Sequence, residues 1–208
     1  MNDSRYLAGN GAALVREREI AGRVQTGLER VYRLERVVDV GDFVCGAQWG
    51  EREALFLRET EGSLEVSLRL PHLEEDAGLD SLCQIIEGVS HFVYVVERSR
   101  AAREASQLEL ELQAEVDKWV VLAASMLPFD ENRSARLRAR LYESVTYEHD
   151  ADSELGERYR LANKIAHGFV RRLERDYLKR ARFDEMRGQL REFFRLGQEG
   201  KLRLGRAA

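Results

Sequence analysis

Residues 79–99, LDSLCQIIEGVSHFVYVVERS, decide the fold. They place apolar side chains on nearly every face of a helix, and such a helix belongs in the centre of a domain. From Gly88 the chain runs to Pro128 without another glycine or proline. Leu82, Ile86, Val89, Val93 and Val96 form one apolar stripe; Leu108, Leu112, Val116, Trp119, Ala123 and Met126 form a second. The stripes are out of phase, because continuing the first lands on Arg100 and Arg103. Between them, Ser106 and Glu109 have capping-box spacing. Two antiparallel helices are therefore expected rather than one long one.

On the N-terminal side, Ile20, Val24, Leu28 and Val31 recur at helical spacing and predict a helix from about Ala12 to Leu34. The stretch VVDVGDFVCGAQWG that follows suits a short strand around Asp42 to Cys45. Leu64, Val66, Leu68 and Leu70 then alternate with Glu65, Ser67 and Arg69, the period of a strand with one wet face. With EALFLRET before it and Glu61-Gly62 as the turn, this reads as a hairpin, or as a three-stranded meander if the earlier strand joins. Pro71 ends it.

On the C-terminal side, Pro128-Phe129-Asp130 marks a break, and a short helix is expected near Ser134 to Val145. After the polar loop TYEHDADSE, Leu155, Tyr159, Ala162, Ala166, Phe169, Leu173 and Tyr177 define a long amphipathic helix. A last helix covers Phe183 to Leu196, with Gly197 as its terminator. The expected class is α+β, mainly α: a helical bundle of about five or six helices with a small antiparallel hairpin or three-stranded meander in the N-terminal part. The chain is expected to be a single domain, 1–208, with the first helix and sheet in 1–77 and the bundle in 78–208.

Composition bounds the function. At 44% apolar and 34% charged residues, the chain suits a soluble globular protein. No leader pattern opens it and no run of about 20 uninterrupted apolar residues is present, so no membrane partner is expected. Cys45 and Cys83 lack metal-type spacing and read as free thiols, which points to the cytoplasm. Residues 1–132 hold 14 Lys/Arg against 25 Asp/Glu, whereas 133–208 hold 19 against 12. An acidic front and a basic back can attract one another within the fold or between subunits.

Two groups of residues could carry chemistry. Gln84, Glu87, His91 and Tyr94 fall three or four apart and form one polar stripe on the apolar helix. If the next helix folds back, His91 comes near Glu111 and Glu87 near Glu115, with Gln107 and Lys118 as neighbours. Glu87, His91, Glu111 and Glu115 are thus candidate metal ligands of the kind helical bundles use. The chain has one Glu-x-x-x-His and no second copy, so a structural hydrogen-bond network competes with that reading and no cofactor is assigned. The second group is the basic run Arg171, Arg172, Arg175, Lys179 and Arg180, where Arg171, Arg175 and Lys179 share a helical face. It suits a protein partner or phosphates, although Glu174 and Asp176 interrupt it.

Phosphate-binding, nucleophile-elbow and zinc-protease motifs are absent from the sequence. Cys83 and Trp119 read as packing residues, Trp49 as a core or interface anchor, and the His149 loop as a helix start. The leading expectation is a non-enzymatic adaptor or accessory subunit working with another cytosolic protein or with itself. The alternatives are a helical metal- or ligand-binding protein or enzyme using Glu87 and His91, and nucleic-acid binding through residues 171–182.

Overall fold

A 30-residue helix, α1 (Asp3–Tyr32), leads into a 3-10 turn (Val40–Asp42) and three strands: β1 (Val44–Gly46), β2 (Ala54–Thr60) and β3 (Ser63–Leu70). Six helices follow: α2 (Leu79–Arg100), α3 (Gln107–Ser125), α4 (Glu131–Arg138), α5 (Glu154–Asp176), α6 (Phe183–Arg195) and α7 (Gln198–Arg206). A π-helical turn (Ala139–Glu143) extends α4. This computed structural model describes residues 3–47, 51–60, 63–73, 78–126 and 130–206. Trp49, the Glu61-Gly62 turn and the Pro128-Phe129 break lie outside them. The architecture is α+β and mainly α, a helical bundle with a three-stranded sheet in its N-terminal part.

The sheet order is β1-β3-β2. β2 and β3 are the expected antiparallel hairpin, in register from Ala54 opposite Arg69 to Thr60 opposite Ser63. The third strand joins, but not as a meander: β1 lies parallel to β3 on its other side, with Val44 opposite Leu68. The sheet is therefore mixed. Its alternation points Leu68 and Leu70 inward onto α2, where the chain carries Gly88. A Cβ there would meet Leu68 Cδ1 at 3.0 Å and Leu70 Cδ2 at 3.2 Å. The glycine that costs α2 helix propensity is what lets the sheet approach so closely.

The α2–α3 hairpin forms as expected. Ser106 Oγ accepts a hydrogen bond from the Glu109 backbone (3.2 Å), and the Glu109 carboxylate accepts one from the Ser106 backbone (3.3 Å). Ala102 adopts a left-handed φ of 50°, which breaks α2 without a glycine. Glu109 also accepts from the Gln198 backbone, and Arg98 donates to the Leu196 carbonyl (2.9 Å), so the hairpin turn anchors the α6–α7 junction. α6 stops where expected, but it is Leu196 in an extended conformation that ends it, and after Gly197 the chain starts a seventh helix.

α2 is long and apolar enough by composition to cross a membrane, but most of it is buried inside the fold, as suits a core helix. One apolar core joins residues of α1, the sheet, α2, α3, α5 and α6, with Trp119, Phe92 and Phe169 at its centre. A polar thread runs through it. Asp117 accepts from Ser90 Oγ (2.6 Å), from Gln113 Nε2 (3.0 Å) and from the Tyr32 hydroxyl. Lys201, fully buried, donates to Gln113 Oε1 (2.6 Å) and to the Phe193 carbonyl (2.8 Å) between the rings of Tyr94 and Phe193. Each polar group named has a partner, as burial demands.

Candidate functional site

The antiparallel packing of α2 and α3 sets Glu87 and His91 opposite Glu111 and Glu115. One ligand-capable atom from each of Glu87, His91 and Glu111 lies within 4.8 Å of the other two. His91 Nε2 is 3.8 Å from Glu111 Oε2. Glu115 is engaged differently: Lys118 donates to its Oε1 (2.7 Å) and to Glu87 Oε2 (3.3 Å). Behind Glu111 stands Arg158 of α5, with Nε 4.0 Å from Oε1. The sequence suggests a surface neighbour in Lys118; the structure makes it a nearly buried counter-ion.

Beside this cluster opens a cleft of about 760 Å³. Its floor is α2 and α3, one wall is Glu53 at the entry to β2, and the other is the π-helical turn, the loop to α5 and the first turns of α5. Glu53 arrives there because the close approach at Gly88 brings its Cβ within 3.6 Å of that helix position. The loop is seated by Gly156, where a Cβ would come within 1.8 Å of the Asp150 carbonyl oxygen. Arg52 of the sheet side reaches across to Glu148 of the loop (2.6 Å). Three residues that line this cleft carry a buried acceptor without a hydrogen-bond donor among the described residues: Glu53 Oε2, Gln84 Oε1 and Glu115 Oε2. Gln84 and Glu115 are 7% and 8% exposed. An unmet buried acceptor is costly, and such atoms are rare in native cores.

Burial and crowding drive the carboxyl groups apart. Burial, then the nearby Glu87 charge, pushes Glu53 up to about 8 and Glu111 likewise up to about 8. Glu115 is also raised, chiefly by burial. Burial alone would raise Glu87, but the Lys118 charge and hydrogen bond hold that carboxyl below its ordinary range. Burial lowers His91 and favours the neutral ring. Lys118 keeps its proton firmly, because Glu115 and Glu87 outweigh its desolvation. Burial pushes the Cys83 thiol up to about 11, so it is no ready nucleophile.

The basic run does not form the stripe that helical spacing predicts. α5 ends at Asp176, and Lys179 and Arg180 lie in a 3-10 turn (Leu178–Arg180) closed by Ala181 at a φ of 53°. Lys179 meets Glu131 of α4, Arg175 pairs with Asp176 (2.7 Å), and the Arg172 guanidinium lies over the Phe169 ring. Arg171 and Arg180 are exposed. Among the other residues singled out, Trp119 is core, both cysteines are free, and the His149 ring stacks on Tyr159 at the cleft.

The sequence reading missed Glu53, Arg158 and the loop wall, all contributed by segments distant from α2. The one local signal was Gly88, whose place in an otherwise glycine-free apolar helix marks a close neighbour. Comparison of the chain with protein-family models, curated proteins and solved structures finds no match.

Proposed function

We propose that the protein binds a small polar molecule in the α2–α3 cleft, and that Glu53 and Glu87 serve that molecule as proton donor and acceptor. The observation that carries this reading is that three residues from separate segments, each with a buried acceptor lacking a donor among the described residues, line one cleft of about 760 Å³. That volume suits a metabolite-sized ligand. Its surface calls for a ligand rich in hydrogen-bond donors, such as hydroxyl, amide or amine groups. Glu53, protonated near neutrality, and ionised Glu87 are the divergent pair that acid–base chemistry uses. The π-helical turn in the wall supports the reading, since such turns concentrate at functional sites.

The test needs no knowledge of the ligand. Among the described residues, Gln84 Nε2 donates to exposed Asp80 and its Oε1 has no donor. If the acceptor is held for a ligand, Gln84→Leu stabilises the empty protein by about 1 kcal/mol, because an unpaired buried group is removed. Urea unfolding measures this, and a loss of stability on substitution counts against the reading. A thermal-shift panel of putrescine, urea, glycerol and glucose then selects the donor class, each hit being expected to weaken in Gln84→Leu.

The adaptor reading keeps one specific support. β2 is an edge strand with Phe56 and Leu57 about half exposed on its opposite faces, the kind of edge that pairs with another chain. Light scattering of the wild type against Phe56→Lys tests for self-association; a monomer in both removes that form of it.

A further inference from the structure

We propose that Glu87, His91 and Glu111 form a binding site for a divalent transition-metal ion, one that goes beyond the cleft's small-molecule role. Glu87 and His91 are one helical turn apart on α2 and so project from one face, and Glu111 meets them from α3. Their ligand atoms already lie within 4.8 Å of one another. Metal–ligand bonds of about 2.1 Å place adjacent donors roughly 3 Å apart. The His91 Nε2–Glu111 Oε2 pair is 3.8 Å apart and every pair lies within 4.8 Å, so closure needs side-chain shifts of about 1 to 2 Å on that geometry.

Each ligand is left available. The Leu110 backbone lies beside the His91 ring, and the buried Nε2 has no hydrogen-bond partner among the described residues. Nε2 is directed at the Glu111 carboxylate, 3.8 Å away, as a metal-binding ring nitrogen needs. Glu111 is 7% exposed and makes no hydrogen bond among the described residues; His91 at 3.8 Å and Arg158 at 4.0 Å are the cationic or ionisable nitrogens beside it. One Glu87 oxygen accepts from Lys118, and the other has no hydrogen-bond donor among the described residues.

Charge agrees. Four carboxylates, Glu53, Glu87, Glu111 and Glu115, are gathered around two largely buried cations, Lys118 and Arg158. Ligand type selects among ions: calcium wants six to eight oxygens and magnesium prefers an all-oxygen octahedron, whereas two carboxylates with one imidazole suit manganese, iron(II), cobalt or zinc. Three protein ligands leave coordination positions for water or a ligand. Glu87 belongs both to this triad and to the cleft lining, so a bound ion would act on the cleft as a Lewis acid.

The full chain, stripped with chelator, is titrated with Mn2+ and with Zn2+ by calorimetry, with bound metal counted by elemental analysis. One equivalent is expected in the wild type, with affinity reduced at least about tenfold in His91→Ala and in Glu111→Gln. No stoichiometric binding, or undiminished binding in a folded His91→Ala protein, overturns the site. Should the variants fail to fold, pulsed electron paramagnetic resonance of the Mn2+-loaded wild type decides: coupling to one imidazole nitrogen is expected, and its absence overturns the site. Gln84 is not one of the three ligands, so the stability test of the cleft succeeds or fails separately.

Discussion

Glu111 shows at the scale of one residue what this cluster demands. Its carboxyl is raised from an ordinary 4.5 to about 8, first by burial and then by Glu87, and Glu53 moves over the same span. Between those values the folded chain keeps protons that the unfolded chain has released, so stability falls as pH rises through that window. It is complete below about 4.5 for these two groups and lost by about 8. Glu87, held low, works the other way and weakens the fold only on acidification. The urea midpoint of metal-free protein is therefore expected to drop between about pH 5 and pH 8, by a few kcal/mol in stability. Glu111→Gln flattens that slope, and so does saturating Mn2+, because the ion takes the proton's place. A midpoint that stays level across this range contradicts the description. Much of this residue set was legible from periodicity, since Gln84, Glu87 and His91 announce themselves as a polar stripe in an apolar helix. Glu53 and Arg158 were not, because nothing in their local sequence says which part of α2 or α3 they cover.

Helices 2 and 3 owe their separation to local chemistry rather than to a breaker residue. The reciprocal Ser106–Glu109 bonds start α3, and Ala102 turns the backbone just before it. Because Glu109 also holds the Gln198 backbone, the cap does double duty for α7. Ser106→Ala is expected to cost about 1 kcal/mol in chemical denaturation, the usual worth of a cap. Glu109→Ala should cost more, since it also strips a partner from the buried Arg98 side chain. Equal effects would mean that the α7 junction draws nothing from this turn. The hairpin was readable because capping boxes are local patterns. The parallel pairing of β1 with β3 was not, because alternation sets which face of a strand is buried and leaves strand order open. For the same reason Lys179 was misplaced: the periodicity continues past Asp176, but the helix does not.

For the whole molecule, the late-sequence helix α7 supplies a central part. Lys201 links Gln113 of α3 to the Phe193 carbonyl of α6, and Gln113 leads on to Tyr32 of α1 and Asp117. Gly205 sits so close to α5 that a Cβ would meet Ile165 Cγ2 at 2.4 Å. Removal of residues 198–208 should therefore unsettle the centre rather than trim an end. The expected result is loss of a single cooperative urea transition and rapid proteolysis within α1 and α6. A truncated chain that unfolds with unchanged cooperativity would show α7 to be an appendage. The sequence hid this role, since one lysine in a glycine-flanked C-terminal segment reads as solvated.

The chain contains only four lysines, at 118, 164, 179 and 201. Lys164 and Lys179 are exposed, Lys118 is closed in by carboxylates, and Lys201 has no accessible surface. Four amines thus occupy three tiers of accessibility, which turns the protein into its own footprinting gauge. A brief pulse of an acylating reagent marks the outer pair at once, marks Lys118 when the carboxylate cluster opens, and marks Lys201 only when the fold as a whole gives way.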